Sequence, residues 1–360
     1  MRALRWTATA GGLLALLVAL AVLLFIGTQC VGTGGAGRGQ EIPAAAAGVP
    51  GYLRPGADSY LALPRWYVAY SAEEHAAFLV RAAPSGFPHL GALRQYWRYY
   101  RAVCAVTRHR YPFDAGKHFL LGLAGVGFSA EHAARGAYEA TVGRASEWLG
   151  GHDTAEDAFA RRTAQEYARF LRTRPWYDFP FAGRAEALWN DTPLWGPELV
   201  RKWERRWVLT GEYGVKAIYG WLAALAARDR TGEDREIHLW VENVPPRALA
   251  DPRIQRVRDI ARGSYLLRIP RGEAFTEIVA ALARQGARVR EIAGNDEIFL
   301  TVRARGPVAA GEGAHVVLDE PILTAPELRR VGLTAPVRSL HAILPPFARA
   351  GVTLERLYDY

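Results

Sequence analysis

The sequence has no charged residue between Arg5 and Arg38. Inside that gap, residues 13–26 are almost entirely Leu, Ala, Val and Phe. A bilayer core about 30 Å thick requires about 20 apolar residues in a helix, which satisfies its own backbone groups. A cleaved signal peptide has a shorter apolar run and a small-residue cleavage site, which residues 27–30 do not supply convincingly. The lack of charge therefore favours an uncleaved transmembrane anchor over residues 11–28.

The few charges beside this segment predict its orientation. Arg2 and Arg5 precede the apolar run, and positive residues flanking a membrane helix usually stay in the cytoplasm. Residues 1–10 are therefore predicted to be cytoplasmic in a protein of the bacterial inner membrane. Residues 29–51, rich in Gly, Ala and Pro, are predicted to form a flexible tether that leads to domains outside the cytoplasm.

Lysine is scarce, since only three of the 45 basic residues are lysine. The net charge of +9 thus comes from arginine, which is spread along the chain instead of forming one basic face. Nucleic acid is not an expected partner, because nucleic-acid-binding proteins concentrate their basic residues on one face or in a known motif. An anionic lipid surface is a better expected partner for this charge.

The sequence contains only two cysteines, Cys30 and Cys104. Neither has the spacing of a zinc ribbon or of a thioredoxin-type motif, so both classes are excluded. A disulfide between them is not expected, because Cys30 falls in the predicted flexible stretch. Motifs of catalysis are missing as well: there is no Walker A sequence and no G-x-S-x-G elbow. No catalytic residue and no cofactor is therefore predicted.

The sequence is rich in aromatic residues and shows both helical and strand periodicity, which indicates an α+β protein. Residues 52–235 show helical periodicity interrupted by prolines, which predicts an aromatic-rich helical domain. Residues 236–360 alternate between strand-like and helical segments. From residue 264 their order is β-α-β-β-(β)-α-β, which is typical of a ferredoxin-like domain with a split β-α-β arrangement. Such domains support many unrelated functions, so this prediction does not specify an activity.

A short repeat within the helical domain supplies the candidate polar site. Residues 129–138 align with residues 210–219, and an acid, a base and a tyrosine recur at positions i, i+4 and i+7 on one helix face. Those side chains are Glu131, Arg135 and Tyr138 in the first copy and Glu212, Lys216 and Tyr219 in the second.

The repeat segments adjoin two uncharged runs, residues 119–130 and 217–227. One hypothesis makes them additional membrane helices, so that their charges form a functional site inside the membrane. The other makes them core or interfacial helices, because runs of about 10–14 residues are short for a span. The second hypothesis is favoured, and the number of spans, one or three, stays open.

A metal site has weak support in the sequence. His118, Glu131, His132, His152 and Asp153 form one grouping, but their spacing matches no known zinc pattern. His118 and His132 are the weak candidate ligands, and no metal is predicted.

Three functional hypotheses follow. The first is a membrane-anchored, non-catalytic binding or assembly protein of the cell envelope, whose partners are the lipid bilayer and another envelope protein. The second is a membrane-embedded enzyme or transport component that uses the paired charges. The third is a periplasmic metalloenzyme that uses His118 and His132. The first is favoured because the sequence contains no complete catalytic motif.

Overall fold

The computed structural model describes residues 2–34, 43–226 and 235–360, with side chains from residue 16 onward except at residues 45 and 226. Within these ranges the helices are α1 (Arg2–Gln29), α2 (Ala57–Leu79), α3 (His89–Arg110), α4 (Ala115–Tyr138), α5 (Arg144–Gly150), α6 (Ala155–Phe170), α7 (Phe181–Asp191), α8 (Leu199–Ala226), α9 (Glu273–Arg284) and α10 (Leu340–Arg349). The strands are β1 (Glu236–Glu242), β2 (Gln255–Ala261), β3 (Ser264–Pro270), β4 (Arg288–Ile292), β5 (Glu297–Ala304), β6 (His315–Ile322), β7 (Ala325–Pro336) and β8 (Thr353–Tyr358). The α+β prediction is confirmed.

The strands form two antiparallel sheets with the same topology. The first sheet has the order β2-β3-β1-β4, and the second has the order β6-β7-β5-β8. The four strands of each sheet follow one another along the chain, and a helix connects the third to the fourth. In the sheet itself, the first strand lies between these two. Both helices, α9 and α10, contribute to one core with both sheets. The C-terminal region is therefore built from two copies of a β-β-β-α-β unit.

The strand registers of the two units also repeat. Glu236 pairs with Pro270 in the first unit, and Glu297 pairs with Pro336 in the second. The pairing of first and fourth strands shifts register after Trp240 in the first unit and after Thr301 in the second. These positions correspond, so the irregularity is part of the shared topology.

This topology corrects the single ferredoxin-like sheet predicted from residue 264. The split β-α-β arrangement is present, but it occurs twice and in two separate sheets. Strand β1 precedes residue 264 in the sequence, yet it lies inside the first sheet between β3 and β4. The helical pattern of residues 247–262 predicts a helix, whereas the structure has a short 3₁₀ turn and the edge strand β2, which pairs with β3.

The helical region packs on the second sheet through aromatic side chains. Five tyrosines of α2 and α3 are fully buried in one cluster that also contains Phe299 and Tyr358 of the second sheet. They are Tyr60, Tyr67, Tyr96, Tyr99 and Tyr100. Hydrogen bonds satisfy several of their hydroxyls, as between Tyr67 and Gln95 at 3.0 Å. The aromatic richness of the middle of the sequence therefore forms a core.

The predicted anchor, residues 11–28, falls on α1, and the side chains of residues 11–15 lie outside the described part. Over the residues that the structure describes, no helix has the length and apolarity needed to cross a bilayer. The transmembrane helix in the predicted fold is therefore not supported by those residues.

A disulfide joins Cys30, just after α1, to Cys104 of α3, and both cysteines are buried. The expectation that these cysteines stay unpaired is wrong. That expectation requires a flexible chain at Cys30, but residues 30–34 pack against the end of α3. Gly34 N donates a hydrogen bond to Arg108 O at 3.0 Å. The rest of the predicted tether, residues 35–42, lies outside the described residues.

Candidate functional site

The structure brings together the four charged residues of the sequence repeat, where α4 crosses α8. Lys216 Nζ lies 2.9 Å from Glu131 Oε1, and Arg135 Nη2 donates to Glu212 Oε1. Within each helix the acid also faces its own base, at 3.5 Å for Glu131 and Arg135 and at 3.6 Å for Glu212 and Lys216. The base of each copy thus pairs with the acid of the other copy. This reciprocal arrangement is what an approximate two-fold axis between the two repeat helices produces.

The electrostatics of this charge cluster keep Glu131 and Arg135 ionised. Burial alone would raise the pKa of Glu131, but Lys216 and Arg135 outweigh burial and hold that pKa well below its usual range. Burial would lower the pKa of Arg135, but Glu212 and Glu131 outweigh it and raise the pKa. The formal charges of two acids and two bases cancel, and neither Glu131 nor Arg135 is poised to exchange a proton near neutral pH. It is better suited to holding α4 against α8 than to acid–base chemistry.

The two tyrosines of the repeat lie apart from this cluster. Tyr138 donates its hydroxyl hydrogen bond to Glu204 of α8. Tyr219 stacks on Trp176, with ring centroids 5.0 Å apart, and is 46% exposed. The predicted stripe of acid, base and phenol is therefore divided among different neighbours.

The candidate metal ligands His118 and His132 lie at different places on α4. They are fourteen residues apart, which is about 21 Å along a helix, so they cannot bind one ion. His118 accepts or donates a 2.8 Å hydrogen bond with Tyr100 and lies beside the Cys30–Cys104 disulfide. Within the described ranges, these two cysteines and His118 are the grouping with suitable ligand atoms, but both sulfurs are bonded to each other.

His132 belongs to a second buried group, a histidine cluster next to the charges. Its Nδ1 lies 3.3 Å from Nδ1 of His89, and the ring of His75 lies 6.1 Å from that of His89. Burial lowers the pKa of His89 to about 4 and the pKa of His132 to about 3. Both rings are therefore neutral at physiological pH.

Sequence reasoning missed a larger buried ion network between α6 and α8. Arg201 donates to both carboxylate oxygens of Asp157, at 2.8 and 3.2 Å, and neither side chain is more than 3% exposed. Glu156, fully buried, bonds Lys202 at 2.9 Å and Arg206 at 2.6 Å. Buried charges persist when they are paired and hydrogen-bonded, as here. Two features of the sequence could have predicted this network. They are the adjacent acids at the start of α6 and the closely spaced bases near the start of α8.

Three neighbouring helices present apolar side chains to the outside. Helix α1 packs closely on α4 at Gly122, where a Cβ would lie 2.9 Å from Val22 Cγ1. The charge cluster links α4 to α8. Along α1, residues 119–123 of α4 and residues 215–222 of α8, the apolar side chains that are at least half exposed are Leu16, Leu17, Leu20, Leu23 and Leu24, Phe119, Leu120 and Leu123, and Val215, Ile218, Trp221 and Leu222. We call this set the apolar surface.

The chain matches no family model, no curated protein and no solved structure.

Proposed function

We propose that the chain is a membrane-anchored, non-catalytic binding or assembly protein of the bacterial cell envelope. In this proposal the segment at residues 11–28 is the anchor, and the apolar surface on α4 and α8 rests against the same bilayer. The rest of the helical region and the two sheets then face the space outside the cytoplasm.

The apolar surface is the observation that carries this proposal. Soluble monomers rarely expose large contiguous apolar patches, and those that do use them for a partner or a membrane. Here Leu20 is 53% exposed, Leu123 is 51% exposed and Leu222 is 51% exposed, on three neighbouring helices. The occupant we infer is lipid, because one of these helices continues into the uncharged N-terminal run that matches the apolar core of a bilayer.

A tryptophan of this surface supports an interfacial position. Trp221 of α8 is 61% exposed. Tryptophan is enriched where membrane proteins meet the boundary between lipid and water, because its ring is apolar and its N–H is polar.

The disulfide supports an orientation with residues 30 onward outside the cytoplasm. Stable disulfides form in oxidising compartments such as the periplasm and are rare in the cytoplasm. The Cys30–Cys104 bond lies directly after α1, so it favours the cytoplasmic N-terminus expected from Arg2 and Arg5.

The second candidate function is a membrane-embedded transport component or enzyme. The observation in its favour is that the charge cluster lies beside the apolar surface, where ionisable residues are often functional. The reciprocal pairing of Glu131 with Lys216 and of Arg135 with Glu212 supports the non-catalytic function instead, because each charge already has a partner.

Single engineered cysteines test whether the apolar surface faces lipid. The native cysteines are bonded to each other, so Leu123→Cys, Leu222→Cys and Val316→Cys each introduce one free thiol. Val316 of β6 is 50% exposed and serves as the matched apolar control. With the full chain in lipid vesicles, we expect Leu123→Cys and Leu222→Cys to react much more slowly with a water-soluble maleimide than Val316→Cys. Equal rates in vesicles, after normalisation to the rates in denaturant, would contradict the proposal.

A further inference from the structure

A cavity of about 260 Å³ lies between the helical region, helix α9 of the first β-β-β-α-β unit and strands β5 and β8 of the second. Residues of α2, α9 and β8 line it, together with Arg172 after α6 and Arg303 of β5. The cavity is separate from the charge cluster and from the apolar surface. Its volume is sufficient for a small ligand, between a few water molecules and one amino acid in size.

Arg356 of β8 is the unusual residue of this cavity. It is 5% exposed, and its guanidinium carbon lies 3.2 Å from the ring centroid of Trp66. Its Nε and Nη2 atoms have no hydrogen-bond partner among the described residues. Burial lowers the pKa of Arg356, which reflects how poorly its charge is compensated. A buried guanidinium with unsatisfied donors is costly, and native proteins rarely keep one without a function.

A neighbouring arginine is buried in a similar way, but its charge is compensated by carboxylates. Arg330 of β7 is 3% exposed and stacks on Tyr70, with its guanidinium carbon 4.1 Å from the ring centroid. Unlike Arg356, it bonds two carboxylates, Glu355 at 2.7 Å and Glu74 at 3.0 Å. The two arginines are alike in burial and stacking and differ in their partners.

The other charges of the cavity are already paired. Arg172 Nε lies 2.8 Å from Glu73 Oε1, and Arg303 Nε lies 3.8 Å from Glu355 Oε1. Glu277 is paired with Arg253 at 2.6 Å. An anion that enters the cavity therefore meets Arg356 as the lining cation that lacks a described carboxylate partner.

We propose that this cavity binds a small carboxylate, which accepts hydrogen bonds from Arg356. A guanidinium presents parallel N–H donors that match a carboxylate, and Trp66 supplies a flat apolar wall beside it. The carboxylates Glu73, Glu273, Glu277 and Glu355 line the same cavity, and their charge disfavours ligands with more than one negative charge, such as a phosphate dianion. The proposal stands on the cavity alone and does not depend on membrane attachment.

Calorimetric titration of the full chain tests this site. Acetate and N-acetylglycine are the carboxylate probes, and acetamide at the same ionic strength is the neutral control. We expect saturable 1:1 binding of both carboxylates and none of acetamide. Tighter binding of N-acetylglycine would identify the carboxyl terminus of a peptide as the natural ligand, and equal binding would identify a free small acid.

Two variants separate Arg356 from its surroundings. Arg356→Gln should weaken binding about tenfold or more, because it removes a charge-assisted hydrogen bond. The control Arg303→Gln changes a cavity arginine that has a partner and should bind within about threefold of the wild type. If Arg356→Gln melts at a lower temperature than the wild type, Arg356→Lys replaces it as the test variant. Its ammonium keeps the charge but lacks the parallel donors, so it should also bind the carboxylates more weakly than the wild type. No saturable binding to the wild type, or undiminished binding to a folded Arg356 variant, would overturn the proposal.

Discussion

His89 and His132 illustrate how burial controls charge at the scale of single residues. Both rings lie in the aromatic interior beside Phe87 and Phe128, next to the positive charge of Arg135. The groups that face them are His75 of α2, Glu131 and Arg135 of α4, and Glu212 and Lys216 of α8. Burial is the largest cause of the lowered pKa of both rings, so the folded protein resists their protonation.

This resistance predicts a stability loss in mild acid. An unfolded histidine has a pKa near 6.5, whereas the pKa of folded His89 is about 4 and that of folded His132 about 3. Below about pH 6.5 the unfolded chain binds more protons than the folded chain, so the free energy of unfolding falls as pH falls. Each ring should contribute about 1 kcal/mol per pH unit between about pH 6 and pH 4.

Urea unfolding at several pH values measures this effect. The slope of unfolding free energy against pH should become shallower in His89→Gln and in His132→Gln, and shallower still in the double variant. An unchanged slope in all three variants would show that these rings are not neutral in the folded protein.

Single residues also show where local sequence signals succeed. Thr154 and Asp157 have the spacing of a helix-start signal, and they form a capping box at the start of α6. The same spacing at Ser71 and Glu74 is misleading, because both residues lie inside α2, which begins fourteen residues before Ser71 at Ala57. There Glu74 bonds the buried Arg330 of the second sheet. A local pattern cannot reveal a partner that lies 256 residues away in sequence.

At the scale of secondary-structure elements, the reciprocal ion pairs between α4 and α8 are the clearest feature. The acids and bases of the sequence repeat meet in space, whereas its two tyrosines do not. The pairing across helices could not be deduced from the helical stripe, since i, i+4 spacing predicts only the weaker pairs within each helix.

Double-mutant cycles test the pairing across helices. Arg135→Ala, Glu212→Ala and the double variant should give a coupling energy of about 1 kcal/mol in urea unfolding. The cycle for Glu131 and Lys216 should give a similar value. The exposed pair Arg98 and Glu320 is the control and should give about 0–0.5 kcal/mol. Coupling across helices no larger than in the control pair would show that the charge cluster does not hold α4 against α8.

The duplicated β-β-β-α-β unit is the element-scale feature that sequence reasoning missed. Its signal was present: residues 236–241 read E-I-H-L-W-V and residues 297–302 read E-I-F-L-T-V. The ends of α9 and α10 also match, as A-R-Q-G at residues 283–286 and A-R-A-G at residues 348–351. Gly286 and Gly351 both have positive φ and end their helices in the same way. Strand order within each sheet depends on long-range pairing, which local periodicity does not encode.

Across the whole molecule, an N-terminal apolar helix, a disulfide beside it and an apolar surface on its neighbours occur together. The sequence predicted the α+β class, because helical and strand periodicities are local properties. The apolar surface could not be predicted, because exposure of Leu123 or Leu222 depends on which helices pack together. The cavity with Arg356 was equally hidden, since its walls come from distant parts of the chain.

Membrane orientation is the most direct test of the central claim. Asp153 has a side chain that is 80% exposed and lies between α5 and α6, and Glu312 is exposed before β6. Asp153→Cys and Glu312→Cys each add one free thiol to a chain whose native cysteines are bonded, so the wild type serves as the unlabelled control. If residues 30 onward lie outside the cytoplasm, a membrane-impermeant maleimide will label both variants in intact cells whose outer membrane is permeable to it. Labelling of both variants only after the cells are lysed would overturn the proposed orientation.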